Sequence, residues 1–357
     1  MAFLDATLWN DLQASEAINF KRPNALGILD AVKDSTAGVD YIPPSRIAEM
    51  QRLSSDRAIQ LPVLKDQTVT VVTTPSFNIP SNLPESANYS FTAYDVFSGF
   101  RHYPAVNDNN QIDSKWQRNQ VMMNVAEACG NSIETILAAR LEERKTQVLG
   151  FETQVSQGDG TFAFNTGTDT LNVNKAAQKE TMFYNMDELM NANKLGGNYR
   201  LVTNRAGLAV QKAEAVKYGA NNDKDLNALG FMPLDRLYES NNIAAGSDIF
   251  KGWLLRDGAM GVIENFPYDF RMGTEVAGRK WSMSDVELPF ARMRANIYTN
   301  SQATDATALV TSGTDSNLIM THFEEMAIWF RFYVVYRYNE NLGTYANDIV
   351  KIAGLTS

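Results

Sequence analysis

The side chains most often used for metal binding and nucleophilic catalysis are few in this chain of 357 residues. Its two histidines, His102 and His322, lie far apart, and neither has a cysteine or histidine at the spacing of a zinc site. The single cysteine, Cys129, excludes a disulfide within the chain and sits on an apolar stripe without an evident basic neighbour. The sequence therefore predicts no metal site, and it predicts that Cys129 has a packing role.

Three further stretches could carry chemistry, and each departs from the pattern that the chemistry needs. The glycine-rich SQGDGTFAFNTG (156–167) has neither the Walker lysine nor the spacing of a dinucleotide loop. DNNQIDS (108–114) begins like a calcium loop, but it lacks the central glycine and places Asn119 where the closing glutamate belongs. Glu324 and Glu325 are adjacent, so in a strand they point to opposite faces and cannot work as an acid/base pair. We predict a protein that is not an enzyme and has no cofactor; the alternative is a soluble α/β enzyme whose site has no recognisable motif.

Composition and charge narrow the function classes. Hydrophobic residues are 44% and charged residues 20% of the chain, as in a folded protein of two or three compact units. A net charge of −9 disfavours a broad phosphate-binding surface. No stretch reaches the roughly 20 apolar residues of a membrane-spanning helix, and the N-terminus lacks the pattern of a signal peptide. We expect no sequence-specific binding of nucleic acid and no membrane association.

The longest helical pattern runs from Ser114, which has Gln117 at capping-box spacing, to a stop at Gly150. A helix of about 35 residues would be roughly 50 Å long, so it needs a long partner surface. Its apolar stripe comprises Met122, Val125, Ala126, Cys129, Ile133, Ile136, Leu137, Leu141 and Val148.

A second long pattern, EEMAIWFRFYVVYRYNE (324–340), has the alternation of a strand. One face is apolar or aromatic, and we predict that it packs along the helix: Met326, Ile328, Phe330, Phe332, Val334, Tyr336 and Tyr338. The other face carries both arginines of the run: Ala327, Trp329, Arg331, Tyr333, Val335 and Arg337.

The remaining pieces come in a definite order. Residues 1–55 alternate amphipathic pieces with breakers, which predicts an arm that lies on another surface. TVTVVTT (68–74) and NYSFTAYDVFSGFRHY (88–103) predict the two strands of a projecting hairpin with a polar tip. Residues 181–268 alternate helix and strand, as in a compact α/β unit. The rest is mainly β, with a closing strand in DIVKIAG (348–354).

This order of parts resembles the major capsid proteins of tailed bacteriophages, whose fold is shared by encapsulins and the herpesvirus capsid floor. LVTNRAGLAVQKA (201–213) is similar to the strand and helix that open the family's axial domain. RLYESNNIAAGSDIFKGWLLRDGAMGVIENF (236–266) is similar to its later portion, and HFEEMAIWFRFYVVYRYNENLGTYANDIVKIAG (322–354) to the family's closing pattern. Together with the order of parts, the resemblance covers essentially everything after the arm.

The resemblance implies an α+β fold with an N-terminal arm (1–55), an extended hairpin loop (56–105), a peripheral domain with a spine helix (106–180), an axial domain (181–268), and peripheral strands that return to the axial domain (269–357). It implies a virion capsid protein, assembled in the cytoplasm of the host bacterium as hexamers and pentamers around double-stranded DNA. An encapsulin-type shell is the alternative within the same fold.

The resemblance also implies contacts and partners. The hairpin would overlap a neighbouring subunit, for which we predict contacts at Phe77 and Tyr89, and the arm would lie across another. The arginine face of the long strand, with Arg331 and Arg337, would meet carboxylates of an adjacent copy. Because few residues precede the hairpin, we expect a separate scaffolding protein, together with a portal protein and, in some shells, a decoration protein.

Overall fold

The computed structural model of the chain describes residues 26–35, 42–52, 58–64, 71, 73–74, 83, 86–102, 114–151, 160–179, 182–210, 213, 236–265, 275–276, 279–280, 282–288, 292–302, 323–337, 343 and 346–356. In this part of the chain helices and strands are mixed, as the α+β prediction requires. The helices are α1 (Gly27–Asp34), α2 (Pro44–Arg52), α3 (Ser114–Arg144), α4 (Met182–Ala192) and α5 (205–210).

The strands are mostly short, and three of them, β3, β13 and β14, have ten residues or more. They are β1 (Ile59–Leu64), β2 (Ser86–Phe91), β3 (Ala93–His102), β4 (Phe162–Asn165), β5 (Thr170–Val173), β6 (Tyr199–Thr203), β7 (Leu237–Glu239), β8 (Phe250–Arg256), β9 (Met260–Glu264), β10 (Glu275–Val276), β11 (Arg279–Lys280), β12 (Ser282–Leu288), β13 (Met293–Gln302), β14 (Phe323–Tyr336) and β15 (Ile349–Gly354).

A five-stranded antiparallel sheet carries the long helix. Its order is β12-β13-β14-β3, and β9 pairs with the far end of β14. The helix lies on β3 and β14 and buries the stripe that its sequence predicts. The buried members of that stripe are Met122, Ala126, Cys129, Ile133, Leu137 and Leu141.

The helix ends at Arg144, six residues before the glycine predicted to stop it. The start of the last strand turns the chain at this point. The Asn347 side-chain amide donates to the Arg144 carbonyl, and the backbone N–H of Thr146 donates to the Ile349 carbonyl at 2.8 Å. The predicted stripe residue Val148 therefore lies beyond the helix and is exposed.

Replacing Asn347 with alanine is expected to lower the free energy of unfolding by about 1–2 kcal/mol, because it leaves the Arg144 carbonyl without this donor in a partly buried turn. Urea denaturation of the purified variant measures the change. Asn191→Ala is the matched control, since the Asn191 amide donates to an exposed carboxylate one turn away in α4, and its effect should stay within about 0.5 kcal/mol.

The second sheet is mixed and six-stranded, in the order β4-β5-β15-β8-β6-β7. Helix α4 covers it through Met186, Leu189 and Met190, which share a core with Leu254 and Ile352. The sheet therefore combines strands from 181–268 with β4 and β5, which precede that range, and with β15 from the C-terminal end. Strand β9, although it lies within 181–268, pairs in the other sheet.

Helix α4 ends at Ala192. Lys194 adopts the left-handed conformation with φ of 61°, and the N–H of Leu195 donates to the Met190 carbonyl at 2.9 Å. These are the features of a Schellman ending formed without glycine.

The structure contains a two-stranded antiparallel hairpin, but one of its two predicted strands is wrong. The partner of β2 is β1, in a register that pairs Ile59 with Phe91 and Leu64 with Ser86. Of the predicted strand 68–74, the structure describes Val71, Thr73 and Thr74, and none of them is in a strand. The predicted second strand breaks at Thr92: β2 belongs to the hairpin, and β3 continues into the five-stranded sheet.

Part of the predicted arm lies on its own subunit. Ile28, Leu29 and Val32 of α1 are buried in the same core as the long helix. Ile42, just before α2, and Met50, within α2, pack with the base of the hairpin. The expectation that the arm lies on something else is wrong for residues 26–35 and 42–52, because apolar spacing in these short helices matches pockets of the same chain. Residues 1–25 lie outside the described part.

Candidate assembly surfaces

The residues singled out for chemistry take ordinary structural positions. Cys129 is buried in the helix stripe, and burial raises the pKa of its thiol to about 11. His102 lies in β3 opposite Glu324, while His322 lies outside the described residues. Among the residues that the structure describes, no three His, Cys, Asp or Glu side chains are grouped where they could hold a metal ion.

The apolar face of β14 packs against the long helix as predicted, except that Tyr336 belongs to the cluster at the hairpin base and Tyr338 lies outside the described residues. Its side chains Met326, Ile328, Phe330, Phe332 and Val334 share one buried cluster with the helix stripe. The Phe332 ring lies 5.9 Å from that of Tyr94 on β3. This packing joins the helix and the sheet into one elongated unit.

The arginine face of β14 is divided between a second buried cluster and an outer surface. At its C-terminal end, Tyr333 and Val335 are fully buried under the hairpin base and α2. At the centre, Arg331 has a side chain only 4% exposed, with its Nε 3.7 Å from Asp95 on β3. The Trp329 indole N–H donates to the same carboxylate at 2.8 Å. Asp95 of the same chain is therefore an ion-pair partner of Arg331.

The outer surface of the five-stranded sheet is aromatic. Phe97 on β3 is 64% exposed, and β14 places Trp329 directly opposite it. Tyr298 on β13 has its ring 6.0 Å from that of Trp329. Arg101 on the same face pairs with Glu325 at 2.6 Å. The face thus presents three rings between charged pairs, with the ring of Phe97 turned to solvent.

Arg337 lies just beyond β14 and is exposed. Its Nη1 is 3.6 Å from an Asp348 oxygen, and Arg256 contacts the other oxygen of that carboxylate at 3.0 Å. Of the two arginines predicted to contact an adjacent copy, Arg337 is the one with an accessible side chain.

The base of the hairpin packs against other parts of the chain, and two apolar side chains between its strands are exposed. Tyr89 packs edge-on against Tyr336 at 5.5 Å, and the Arg144 guanidinium lies 3.9 Å over the Tyr336 ring. Between the two hairpin strands, Val71 and Leu83 are 80% and 72% exposed. Tyr89 therefore belongs to the base of the hairpin, and the predicted contact Phe77 lies outside the described residues.

Sequence reasoning missed Phe97, Asp95 and the two exposed hairpin side chains. Period-two alternation along AYDVFSGFRH (93–102) puts Phe97 and Asp95 on one face, so the pattern could have identified that face. Pairing Asp95 with Arg331 requires the register between β3 and β14, whose residues are 236 positions apart. No local pattern contains that register.

No helix in the described ranges is long and apolar enough to cross a bilayer.

Comparisons with known proteins give similarity at the level of structure. No protein-family model and no curated protein matches the chain. A solved structure from Mycobacterium phage Che8 is similar at 9% identity over 88% of this chain and 89% of that chain, with a TM-score of 0.46. The capsid structure of cyanophage P-SCSP1u is similar at 11% identity over 86% of both chains, with a TM-score of 0.45. The holo-SrpI encapsulin complex from Synechococcus elongatus PCC 7942 is similar at 11% identity over 88% of both chains, with a TM-score of 0.37.

Proposed function

We propose that this protein is the major capsid protein of a tailed bacteriophage, which assembles into hexamers and pentamers of an icosahedral shell around double-stranded DNA. One observation carries the proposal. The chain builds an elongated unit from a 31-residue helix and a 14-residue strand, yet exposes Phe97 on its sheet and Val71 and Leu83 on its hairpin. Large apolar side chains exposed on extended parts fit a subunit that is completed by copies of itself.

The proposed mechanism is geometric and has no chemical step. The elongated unit, with residues 106–180 and the strands of 269–357, would run along the edges of capsomers. The six-stranded unit, centred on residues 181–268, would surround the five-fold and six-fold axes. The hairpin within 56–105 would cover a neighbour, and the part of 1–55 beyond α1 and α2 would reach another.

We propose that two of the four predicted contact residues touch a second copy directly and that the other two support the contacting surface. Arg337 is exposed and can reach a carboxylate on a second copy, and Phe77 belongs to the hairpin segment that would extend outward. Tyr89 and Arg331 already pack within their own chain, so in a shell they would support the contacting surface from beneath. Arg337→Glu should therefore reduce assembly more than Arg331→Lys does.

The proposed partners follow from a shell of this kind. The protein would assemble with itself, with a separate scaffolding protein and a portal protein, and with a decoration protein where the shell carries one. Its net charge of −9 would limit adhesion of the enclosed genome to the inner wall. The working location would be the virion, after assembly in the host bacterial cytoplasm.

Sedimentation velocity on the purified full chain tests the proposal. The expected result is a population of pentamers, hexamers or much larger particles that grows with protein concentration. A species that stays monomeric at the highest soluble concentration, also after co-expression with the neighbouring phage genes, would overturn it.

A further inference from the structure

Helix α1 lies between the two sheets. On one side it contacts β6 and β7 of the six-stranded sheet. On the other side it contacts the long helix α3 and strand β9 of the five-stranded sheet. Five of its eight residues are buried. Gly27 lets the helix approach β7, since a Cβ there would lie 2.3 Å from the Glu239 carbonyl oxygen. The position of α1 therefore fixes how the two sheets meet.

The two ends of α1 are held by different kinds of groups. At its C-terminal end, Arg200 donates to the Ala31 carbonyl at 2.9 Å, Lys33 pairs with Glu264, and Asp34 accepts from Tyr238 at 2.9 Å and from Arg292. Each charge there faces an opposite charge. The C-terminal end of α1 is thus held by ion pairs and by a hydrogen bond to its last turn.

The N-terminal end depends on one buried carboxyl from the long helix. Leu26 at the N-cap position supplies no side-chain hydrogen bond. Instead, Glu134 Oε1 accepts the Leu29 N–H at 2.8 Å, and Glu134 Oε2 accepts the Ser240 hydroxyl at 2.6 Å. The Glu134 side chain is fully buried. A single titratable group thus connects α3, α1 and the end of β7.

The charged surroundings of Glu134 do not favour its ionised form. From α1 the facing group is another carboxylate, Asp30, which lies 3.9 Å from Arg292. From the end of β7 it is the neutral Ser240 hydroxyl, and on α3 the residues one turn away, 130–131 and 137–138, carry no charge. A buried carboxylate held only by neutral donors is costly to ionise.

We infer that α1 is a releasable wedge between the two sheets, which is docked most firmly while Glu134 is protonated and loosens when Glu134 loses its proton. The inference concerns the single subunit and does not rest on the proposed function.

The direction of the pH dependence follows from linkage. Burial raises the pKa of Glu134 from 4.5 to about 7, and the Asp30 charge adds to this, although the hydrogen bonds from Leu29 and Ser240 act in the opposite direction. A docked group with a raised pKa stabilises docking fully below the pKa of the released state. That stabilisation is lost as the pH rises through the docked pKa. The window runs from about pH 4.5 to about pH 7.

Hydrogen–deuterium exchange of the full chain tests the inference. The protein is kept in one assembly state, and the exchange rates are corrected for their intrinsic pH dependence. Between pH 5 and pH 8, the protection of the α1 amides should fall on the order of 50-fold. The amides of β15, away from α1, should change little. In Glu134→Gln, a neutral isostere, α1 protection should be nearly independent of pH and should stay high at pH 8.

Two further variants test whether the pH dependence of α1 protection comes from Glu134. Glu143→Gln changes an exposed carboxylate on the same helix and should retain the full wild-type pH dependence. Gly27→Ala forces a Cβ against β7 and should lower α1 protection at every pH, although alanine is the better helix former. If α1 protection in the wild type does not change between pH 5 and pH 8, the inference is overturned, even if the variants fail to fold. If Glu134→Gln folds and its α1 protection keeps the wild-type pH dependence, the inference is overturned as well.

Discussion

Replacing Phe332 with aspartate is expected to prevent the subunit from folding. The ring is fully buried on the inner face of β14, against Tyr94 and the stripe of the long helix. Losing its burial costs about 2–3 kcal/mol, and placing a carboxyl there costs several kcal/mol more. The sum reaches the whole stability of an ordinary domain, about 5–15 kcal/mol.

Circular dichroism and the yield of soluble protein measure the effect of Phe332→Asp. The matched control is Phe97→Asp on the neighbouring strand, because the Phe97 ring is 64% exposed on the opposite face of the same sheet. The free energy of unfolding of this control should lie within about 1 kcal/mol of the wild-type value. A cooperative, wild-type-like unfolding transition for Phe332→Asp would contradict the packing of the long strand on the long helix.

Reversing the charge of Arg331 is expected to destabilise the subunit itself. Arg331→Glu removes the buried partner of Asp95 and puts a second carboxylate beside it. Because Asp95 is 43% exposed, solvent screens part of the repulsion. We expect a loss of about 2–4 kcal/mol in the free energy of unfolding, at the lower end of the effect for broken buried pairs.

Urea denaturation of Arg331→Glu measures this loss. The double variant Arg331→Glu/Asp95→Lys tests whether the loss comes from the repulsion between the two carboxylates. The second change restores opposite charges and should recover part of the stability. Wild-type stability of Arg331→Glu together with defective assembly would instead make Arg331 a direct contact between copies, as the resemblance to capsid proteins implies.

Local patterns predict the interior of this fold well. Alternation along β14 correctly separates Phe330 and Phe332 from Arg331, and the three- and four-residue spacing in α3 correctly identifies Ile133 and Leu137 as core. The reason is that one long element repeats its period often enough for burial on one face to dominate.

The errors occur where contacts distant in sequence decide the structure. The end of α3 depends on Asn347, which lies 203 positions beyond Arg144. The first hairpin strand is IQLPVL (59–64), whose Pro62 is a poor strand residue that an edge strand tolerates, while the more β-prone TVTVVTT has no strand among its described members. Sequence spacing also could not show that α1 fills a pocket formed by α3, β6, β7 and β9.

The sequence could predict that candidate assembly surfaces exist, but it could not predict which side chains on them are exposed. Two-faced alternation in β14 indicates that one face is not part of the helix-packed core, but burial by Asp95 and by the hairpin base decides which of its side chains reach solvent. Alternation along β3 is enough to put Phe97 and Asp95 on one face, but only the register with β14 places Phe97 opposite Trp329.

Electron microscopy of the purified full chain, expressed alone and with its neighbouring genes, tests the proposed shell function most directly. We expect closed icosahedral particles or free pentamers and hexamers, with the long helix and the five-stranded sheet along capsomer edges and the six-stranded sheet around the symmetry axes. Particles that carry protein cargo and no DNA-packaging partners would assign the shell to the encapsulin class instead. A small globular species that persists at high concentration under all these conditions would contradict a shell function.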